Sequence, residues 1–270
     1  MTNAVDDRAA LRRDGAVVVR GLLDDAWCAQ LVEAIERCRR RPSVHYGRLS
    51  TAGQPVVDSD LFRWFDDPTI AELTHDSPLP VLAARLIGTA EVVLVEDQWF
   101  ASEPLASTSS PWHQDEPYYN LDRPFVTIWI TLDDVGAGSS LRVVERSHRA
   151  GTIYAPVEFS VEAATIGAAA ATMEPVPDVD ADPDRFDVRS WDLRAGDAIA
   201  LDSRTLHATG NCVVDQAFRR ISTRWAHAAT RYVERGPHVA TFWKLLPHGL
   251  RDGDLLACPT FPVIRPPIDG

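Results

Sequence analysis

The run Ser110-Pro-Trp-His-Gln-Asp-Glu-Pro-Tyr-Tyr119 concentrates groups that can bind a metal. His113 and Asp115 are separated by one residue, so on a strand, where side chains alternate, both would project to the same face as neighbouring ligands. A third ligand is available at His207, within Gly196-Asp-Ala-Ile-Ala-Leu-Asp-Ser-Arg-Thr-Leu-His-Ala-Thr-Gly210, where a strand is expected to end in a loop on the far side of a barrel. Two imidazoles and one carboxylate on one side of a metal leave three positions open, the arrangement of non-haem iron(II) oxygenases. A His-x-Asp pair is weak by itself, because it arises easily by chance in a chain with eight histidines.

A second constellation adds weight to the first. Arg219 lies twelve residues beyond His207, in Phe218-Arg-Arg-Ile-Ser-Thr-Arg-Trp225. An arginine buried among Ile221, Trp225 and other barrel residues needs an anionic partner, and a dicarboxylate co-substrate would supply one in two-bond geometry. Arg220 is the alternative, since adjacent strand residues face opposite ways and a slip of one residue exchanges them.

These residues need a scaffold that brings distant segments together. Val17, Val18 and Val19 between Gly15 and Gly21 predict a strand. Asp24 or Asp25 then caps a helix carrying Trp27, Leu31, Ile35 and Cys38 at helical spacing. Ser77 and Pro78 open a second helix with Leu79, Leu82 and Leu86 on one face and Gly88 past its end. From residue 91 the pattern changes to short runs rich in Val, Ile, Thr and Trp: 91–100, 125–132, 140–145, 198–201 and 219–226 are the expected strands. Helices first and strands after predict one α+β, mainly β domain over 1–270, with flanking helices within about 24–90 and a β core within about 91–230.

The stretch from about 158 to 187 reads as an insertion and a possible lid. Its Asp178, Asp180, Asp182 and Asp184 invite a calcium-loop reading, but Pro183 and Arg189 stand where such a loop needs Gly and Glu, so a solvated acidic loop is expected.

Composition narrows the partners. With 45% hydrophobic residues the chain can build a core, and a net charge of −12 repels nucleic acid and anionic membrane surfaces. Arg37, Arg39, Arg40 and Arg41 are read as the basic end of the first helix rather than a binding patch. No apolar stretch approaches the ~20 residues of a membrane span. Cys28, Cys38, Cys212 and Cys258 are widely spaced, and Met1-Thr-Asn-Ala-Val-Asp-Asp has no secretory pattern, so reduced thiols and a cytoplasmic location are expected.

Taken together, Asp14-Gly-Ala-Val-Val-Val-Arg-Gly21, Glu96-Asp-Gln-Trp99, Pro111-Trp-His-Gln-Asp115, Trp129-Ile-Thr-Leu-Asp-Asp134, Ser147-His148, Gly196-Asp197 and Arg219-Arg-Ile-Ser-Thr-Arg-Trp225 resemble the phytanoyl-CoA dioxygenase family of iron(II)- and 2-oxoglutarate-dependent oxygenases. The resemblance implies a double-stranded β-helix, a jelly-roll of the cupin kind with flanking helices. It implies that His113, Asp115 and His207 hold Fe(II), that Arg219 binds the distal carboxylate of the co-substrate 2-oxoglutarate, and that Gln98 and Trp129 line its pocket, with O2 as the oxidant. For Trp129, plain core packing is an equal reading.

Two departures stand out: Glu145-Arg146 replaces the Pro-Gly that usually precedes Ser-His, and His227-Ala-Ala replaces the Gly-Asp-Asp common after Trp225. No basic cluster suits a coenzyme A thioester; resemblance to bacterial tailoring members of the family, with the Ala/Arg/Asp-rich composition, implies a small natural-product intermediate as substrate and hydroxylation, with release of succinate and CO2, as the expected reaction. Cyclisation, epimerisation or desaturation by the same hydrogen abstraction is the alternative, and a non-catalytic metal- or ligand-binding barrel is the reading from another class.

Overall fold

Local signals in the sequence set the helices that back the sheet. The computed structural model describes residues 4–50, 53–107, 110–159, 172–210, 215–235 and 245–267. Helix α2 (Asp25–Arg40) starts where the Asp24 carboxylate accepts the Trp27 N–H, and it buries Cys28, Leu31, Ala34, Ile35 and Cys38. Helix α4 (Pro78–Ile87) has Ser77 as its cap, Pro78 in its first turn and Gly88 in the left-handed conformation at its end, with φ of 82°. Two further helices, α1 (Ala4–Asp14) and α3 (Pro68–His75), carry weaker sequence signals; α1 is rich in charge, and Leu11 is its buried apolar anchor.

All strand pairings are antiparallel. The strands are β1 (Ala16–Val19), β2 (Gly47–Arg48), β3 (Val57–Leu61), β4 (Val92–Ser102), β5 (Val126–Thr131), β6 (Leu141–Val144), β7 (Val188–Arg189), β8 (Ala198–Asp202), β9 (His207–Thr209), β10 (Phe218–His227) and β11 (Val263–Ile264). The larger sheet runs β1-β8-β5-β10-β4-β3-β2, with β11 also on β4, and the smaller runs β7-β6-β9. This is a mainly antiparallel, cupin-like jelly-roll with few helices.

The two faces of the larger sheet differ in what covers them. Its outer face, with Trp99, Ala101, Ile128, Ile130, Ala198, Ala200, Ile221 and Trp225, packs against Leu31, Ile35, Ile70, Leu73, Leu79 and Leu82 of the helices. Its inner face contributes Trp129, Ile199, Leu201 and Phe218, which meet Leu141 and Val143 of the smaller sheet. The basic end of α2 is an ion-paired staple: Arg37 binds Asp67 and Arg39 binds Asp58.

Strand β3 lies within the region expected to be helical. Its sequence Val-Asp-Ser-Asp-Leu has poor strand propensity, and its buried acids are held by Arg39, Tyr46, Ser43 and Arg63. Within the expected lid, residues 160–171 lie outside the described residues. The segment after it is fixed to the barrel, where Asp180 accepts hydrogen bonds from Trp112 Nε1 and from Arg142. Cys28, Cys38 and Cys258 are free thiols, whereas Cys212 lies outside the described residues. No described helix is long and apolar enough to cross a membrane.

Candidate metal and co-substrate site

His113, Asp115 and His207 converge in the interior, all buried, with ligand atoms within 4.8 Å of one another. Asp115 Oδ1 lies 3.6 Å from His113 Nε2 and 3.7 Å from His207 Nε2. Each histidine has its Nδ1 2.9 Å from a backbone carbonyl, that of Pro111 for His113 and that of Thr205 for His207. A carbonyl only accepts, so each Nδ1 carries the proton and each Nε2 keeps a lone pair turned toward the shared centre. Such outer bonds fix the tautomer and orientation of metal-ligating histidines.

Strand alternation is not what brings His113 and Asp115 together. His113 pairs with His207 through two backbone bonds of 3.0 and 2.9 Å, but Asp115 is already in the right-handed helical conformation and precedes a 3-10 turn over Glu116–Tyr118. The turn itself is knit to the segment before His207: Arg204 grips Glu116 through two bonds of 2.6 and 3.0 Å, and Gln114 donates to the Arg204 carbonyl. His207 thus begins β9 beside His113, rather than lying across the barrel from it. Gly15, with φ of 85°, sits against the same loop; a Cβ there would lie 2.6 Å from Thr205 Oγ1.

Burial, with His207 beside it, pushes His113 down to about 3, so its imidazole is neutral and available as a ligand. Burial alone would raise Asp115, yet Arg224, His207, His113 and the Thr127 hydrogen bond outweigh it and hold the carboxyl at about 2. The donor set therefore fits a divalent metal: two imidazoles and one carboxylate.

The inner face of the larger sheet continues from this centre in three cross-strand rows. Glu96, Arg224 and Thr127 form the row that touches Asp115; Gln98, Ser222 and Trp129 form the next; Phe100, Arg220 and Thr131 the third. Gln98 and Trp129 therefore flank the same residue of β10 from its two neighbours, between the metal ligands and Arg220. Trp129 is also core, packed against Phe218 at a ring distance of 6.3 Å.

Arg219 departs from the expectation. Its guanidinium binds Asp133 on the other face of β10, with Nε 3.0 Å from Oδ2, and it is turned away from the metal ligands. Arg220 instead points inward, is 4% exposed, and rests between the rings of Phe100 and Phe218 at 5.1 and 5.0 Å. Its Nη1 has no hydrogen-bond partner, and burial alone pulls its pKa down to about 10, which leaves it charged at neutral pH. The register fails because Ile221 and Trp225 line the helix-packed face, not the barrel.

Residues that sequence reasoning passed over also crowd the centre. Arg224 and Thr127 both contact Asp115, and Phe159 sets its ring edge-on against His113 at 4.6 Å. The available signal for Arg224 was parity, since it shares a face with Arg220 and Ser222.

A jelly-roll with two histidines and one carboxylate beside a buried, unpaired arginine defines a metal-dependent oxygenase type of site. The chain matches the phytanoyl-CoA dioxygenase family over residues 11–222 and belongs to it; it is an enzyme of the iron- and 2-oxoglutarate-dependent class. Similar solved structures include the epimerase SnoN in complex with Fe3+, alpha ketoglutarate and nogalamycin RO, at 23% identity and a TM-score of 0.77, covering 97% of this chain and 98% of that one. The carbocyclase SnoK from nogalamycin biosynthesis is 19% identical with a TM-score of 0.74, over 96% and 95% of the two chains. AviO1 from Streptomyces viridochromogenes Tue57 is 21% identical with a TM-score of 0.63, over 85% and 97%. No curated protein sequence matches significantly.

Proposed function

We propose that His113, Asp115 and His207 hold iron(II), that Arg220 takes the distal carboxylate of 2-oxoglutarate, and that the enzyme hydroxylates a small natural-product intermediate with release of succinate and CO2. The observation that carries the assignment is Arg220: a buried cation with no acidic partner among the described residues, two rows from the Arg224 row that touches Asp115. Leaving a charge buried and unpaired is costly, so a guanidinium with no carboxylate beside it among the described residues suits an anionic ligand. A dicarboxylate that chelates the metal at one end fits that requirement, with Gln98, Ser222 and Trp129 beneath its middle.

Iron bound there supplies oxygen activation coupled to decarboxylation of the co-substrate. The protein's own contribution is positional. The Pro111 and Thr205 carbonyls orient the imidazoles, Thr127 orients Asp115, and the guanidinium of Arg220 offers a planar two-bond fork. Asp115 fills the ligand position that a halide would need, so chlorination is excluded from this proposal.

Epimerisation or cyclisation of the substrate is the second reading, favoured by SnoN and SnoK being among the similar structures. The class assignment is tested on anaerobic protein with iron(II) and 2-oxoglutarate, where a weak visible charge-transfer band is expected; its absence at saturating iron overturns the assignment. The outcome is tested by turnover of polyketide and glycoside intermediates under 18O2 in chloride buffer. Product carrying one labelled oxygen supports hydroxylation, an isomer or ring-closed product without label supports the second reading, and a chlorinated product overturns both.

A further inference from the structure

Behind Asp115 lies a buried polar chain that runs from Thr127 and Arg224 to Glu96 and Tyr119. Asp115 divides its two oxygens between different tasks. Oδ1 alone faces the histidine Nε2 atoms, at 3.6 and 3.7 Å. Oδ2 accepts the Thr127 hydroxyl at 2.6 Å and lies 3.4 Å from Arg224 Nε. Arg224 is in turn held from behind, its Nη1 donating to Glu96 Oε1 at 2.7 Å while the same oxygen accepts the Tyr119 hydroxyl at 2.9 Å. The guanidinium also stands over the Tyr119 ring at 5.5 Å.

From this arrangement we infer that Thr127 and Arg224 are positioning residues, a clamp that occupies Asp115 Oδ2 and leaves Oδ1 as the single oxygen offered to the metal; the inference rests on the proposed iron site. A carboxylate free to turn can bind a metal through one oxygen or through both, and a second oxygen would take a position that the co-substrate or O2 requires. The Thr127 hydrogen bond and the Arg224 charge 3.4 Å away, an ion contact rather than a hydrogen bond, hold Oδ2 before any metal arrives. The clamp is rigid because each member is itself held: Thr127 lies mid-strand in β5, opposite Arg224 in the register, and Glu96 is fully buried in β4 opposite Arg224 on its other side. Burial raises Glu96 to about 7, against the pull of Arg224 and Tyr119, so this anchor holds by hydrogen bonding even where its charge is partial.

The test uses substitutions that keep net charge constant, so that a change reports geometry. In Thr127→Val the hydroxyl is lost at similar volume, in Thr127→Ser it is kept, and in Arg224→Lys the charge is kept while the planar fork is lost. Iron(II) is titrated anaerobically into each full-length protein, and the charge-transfer band is then recorded with 2-oxoglutarate. Thr127→Val and Arg224→Lys should weaken iron by about 10- to 100-fold, the usual effect of losing support behind a metal ligand. Their bands should move to longer wavelength, because a carboxylate released from its donors gives more charge to the metal. Thr127→Ser should retain the unmodified affinity and band. Should Arg224→Lys fail to fold, the two Thr127 variants carry the test. The clamp is refuted if Thr127→Val binds iron as tightly as the unmodified protein with an unmoved band, or if Thr127→Ser is impaired as much as Thr127→Val. An unmodified protein that binds no iron refutes the site itself, which is a different result.

Discussion

Arg220 and Arg224 lie four residues apart on the same face of β10, and both are buried, yet their surroundings are opposite. Arg224 is surrounded by acceptors, with Glu96 and Asp115 within 3.4 Å, and its pKa is raised by Tyr119, Asp115 and Glu96 against the effect of burial. Arg220 has aromatic rings and, among the described residues, no carboxylate beside it, and burial acts on it unopposed. One arginine is neutralised within the chain and therefore holds other side chains in place. The other is left with its charge uncompensated, as a group that awaits a ligand. Arg63 belongs with Arg224: it binds Asp60 at 2.7 Å with both side chains buried, and joins β3 to the turn that leads into α3.

The largest effect is expected from loss of a metal ligand. His207→Ala deletes one of the two imidazoles, and iron affinity should fall by more than about 100-fold, beyond the loss seen when only the support of a ligand is removed. Retention of iron and of the charge-transfer band would remove His207 from the site and leave Arg220 without its chelating anion.

The paired and unpaired arginines should also respond to substitution with opposite signs in stability. Asp60→Ala removes the buried one of Arg63's two carboxylate partners, leaving Asp66, and should cost about 1 to 3 kcal/mol in a denaturant titration. In the protein free of co-substrate, Arg220→Met removes an uncompensated charge and should raise stability by about 1 to 4 kcal/mol while 2-oxoglutarate binding is lost. A destabilised Arg220→Met variant would mean that this guanidinium is satisfied within the chain.

Between the two neighbouring arginines the contrast is sharper still. Arg220→Lys should weaken 2-oxoglutarate by about 30- to 150-fold, the equivalent of a charge-assisted bidentate contact of ~2 to 3 kcal/mol. Arg219→Lys leaves a half-buried partner of Asp133 on the opposite face and should not change co-substrate affinity. The reverse result would restore Arg219 as the anchor.

Why the sequence pointed to Arg219 is a matter of which face of the sheet is apolar. Ile221 and Trp225 share Arg219's parity, and apolar residues invite assignment to a barrel interior. In this fold the helices cover the outer face and make it the greasier one, while the inner face carries Gln98, Ser222 and Arg220. Alternation was legible in β10, but its direction depends on helices far away in sequence. Strands β4, β5 and β10 were readable from their β-branched runs, and α4 from Ser77, Pro78 and Gly88. The metal ligands stood out by type, although Asp115 reaches its position through a turn rather than along a strand. Strand β3 was hidden, because its two aspartates look like loop residues until Arg39 and Arg63, brought from other elements, pair with them.

The smallest expected effect lies in the row between the two arginines, where Gln98 and Trp129 flank Ser222. Gln98 is half-buried and its Oε1 is 3.5 Å from Arg224 Nη1, too long to hold the side chain firmly. Its amide is thus free to turn toward a carboxylate lying over the row. A hydrogen bond to a carboxylate contributes ~1.5 to 3 kcal/mol when fully buried and less at half-buried Gln98, so Gln98→Leu should weaken 2-oxoglutarate by about 2- to 13-fold, short of the loss in Arg220→Lys. Trp129→Phe keeps the packing against Phe218 but removes the indole N–H, and serves as the control for the same row. Competitive titration against 2-oxoglutarate in the iron-loaded protein separates the two. If Gln98→Leu has no effect while Trp129→Phe does, the co-substrate lies toward β5 and not β4. If Gln98→Leu equals Arg220→Lys in cost, the division between a charged anchor and a polar lining has been drawn in the wrong place.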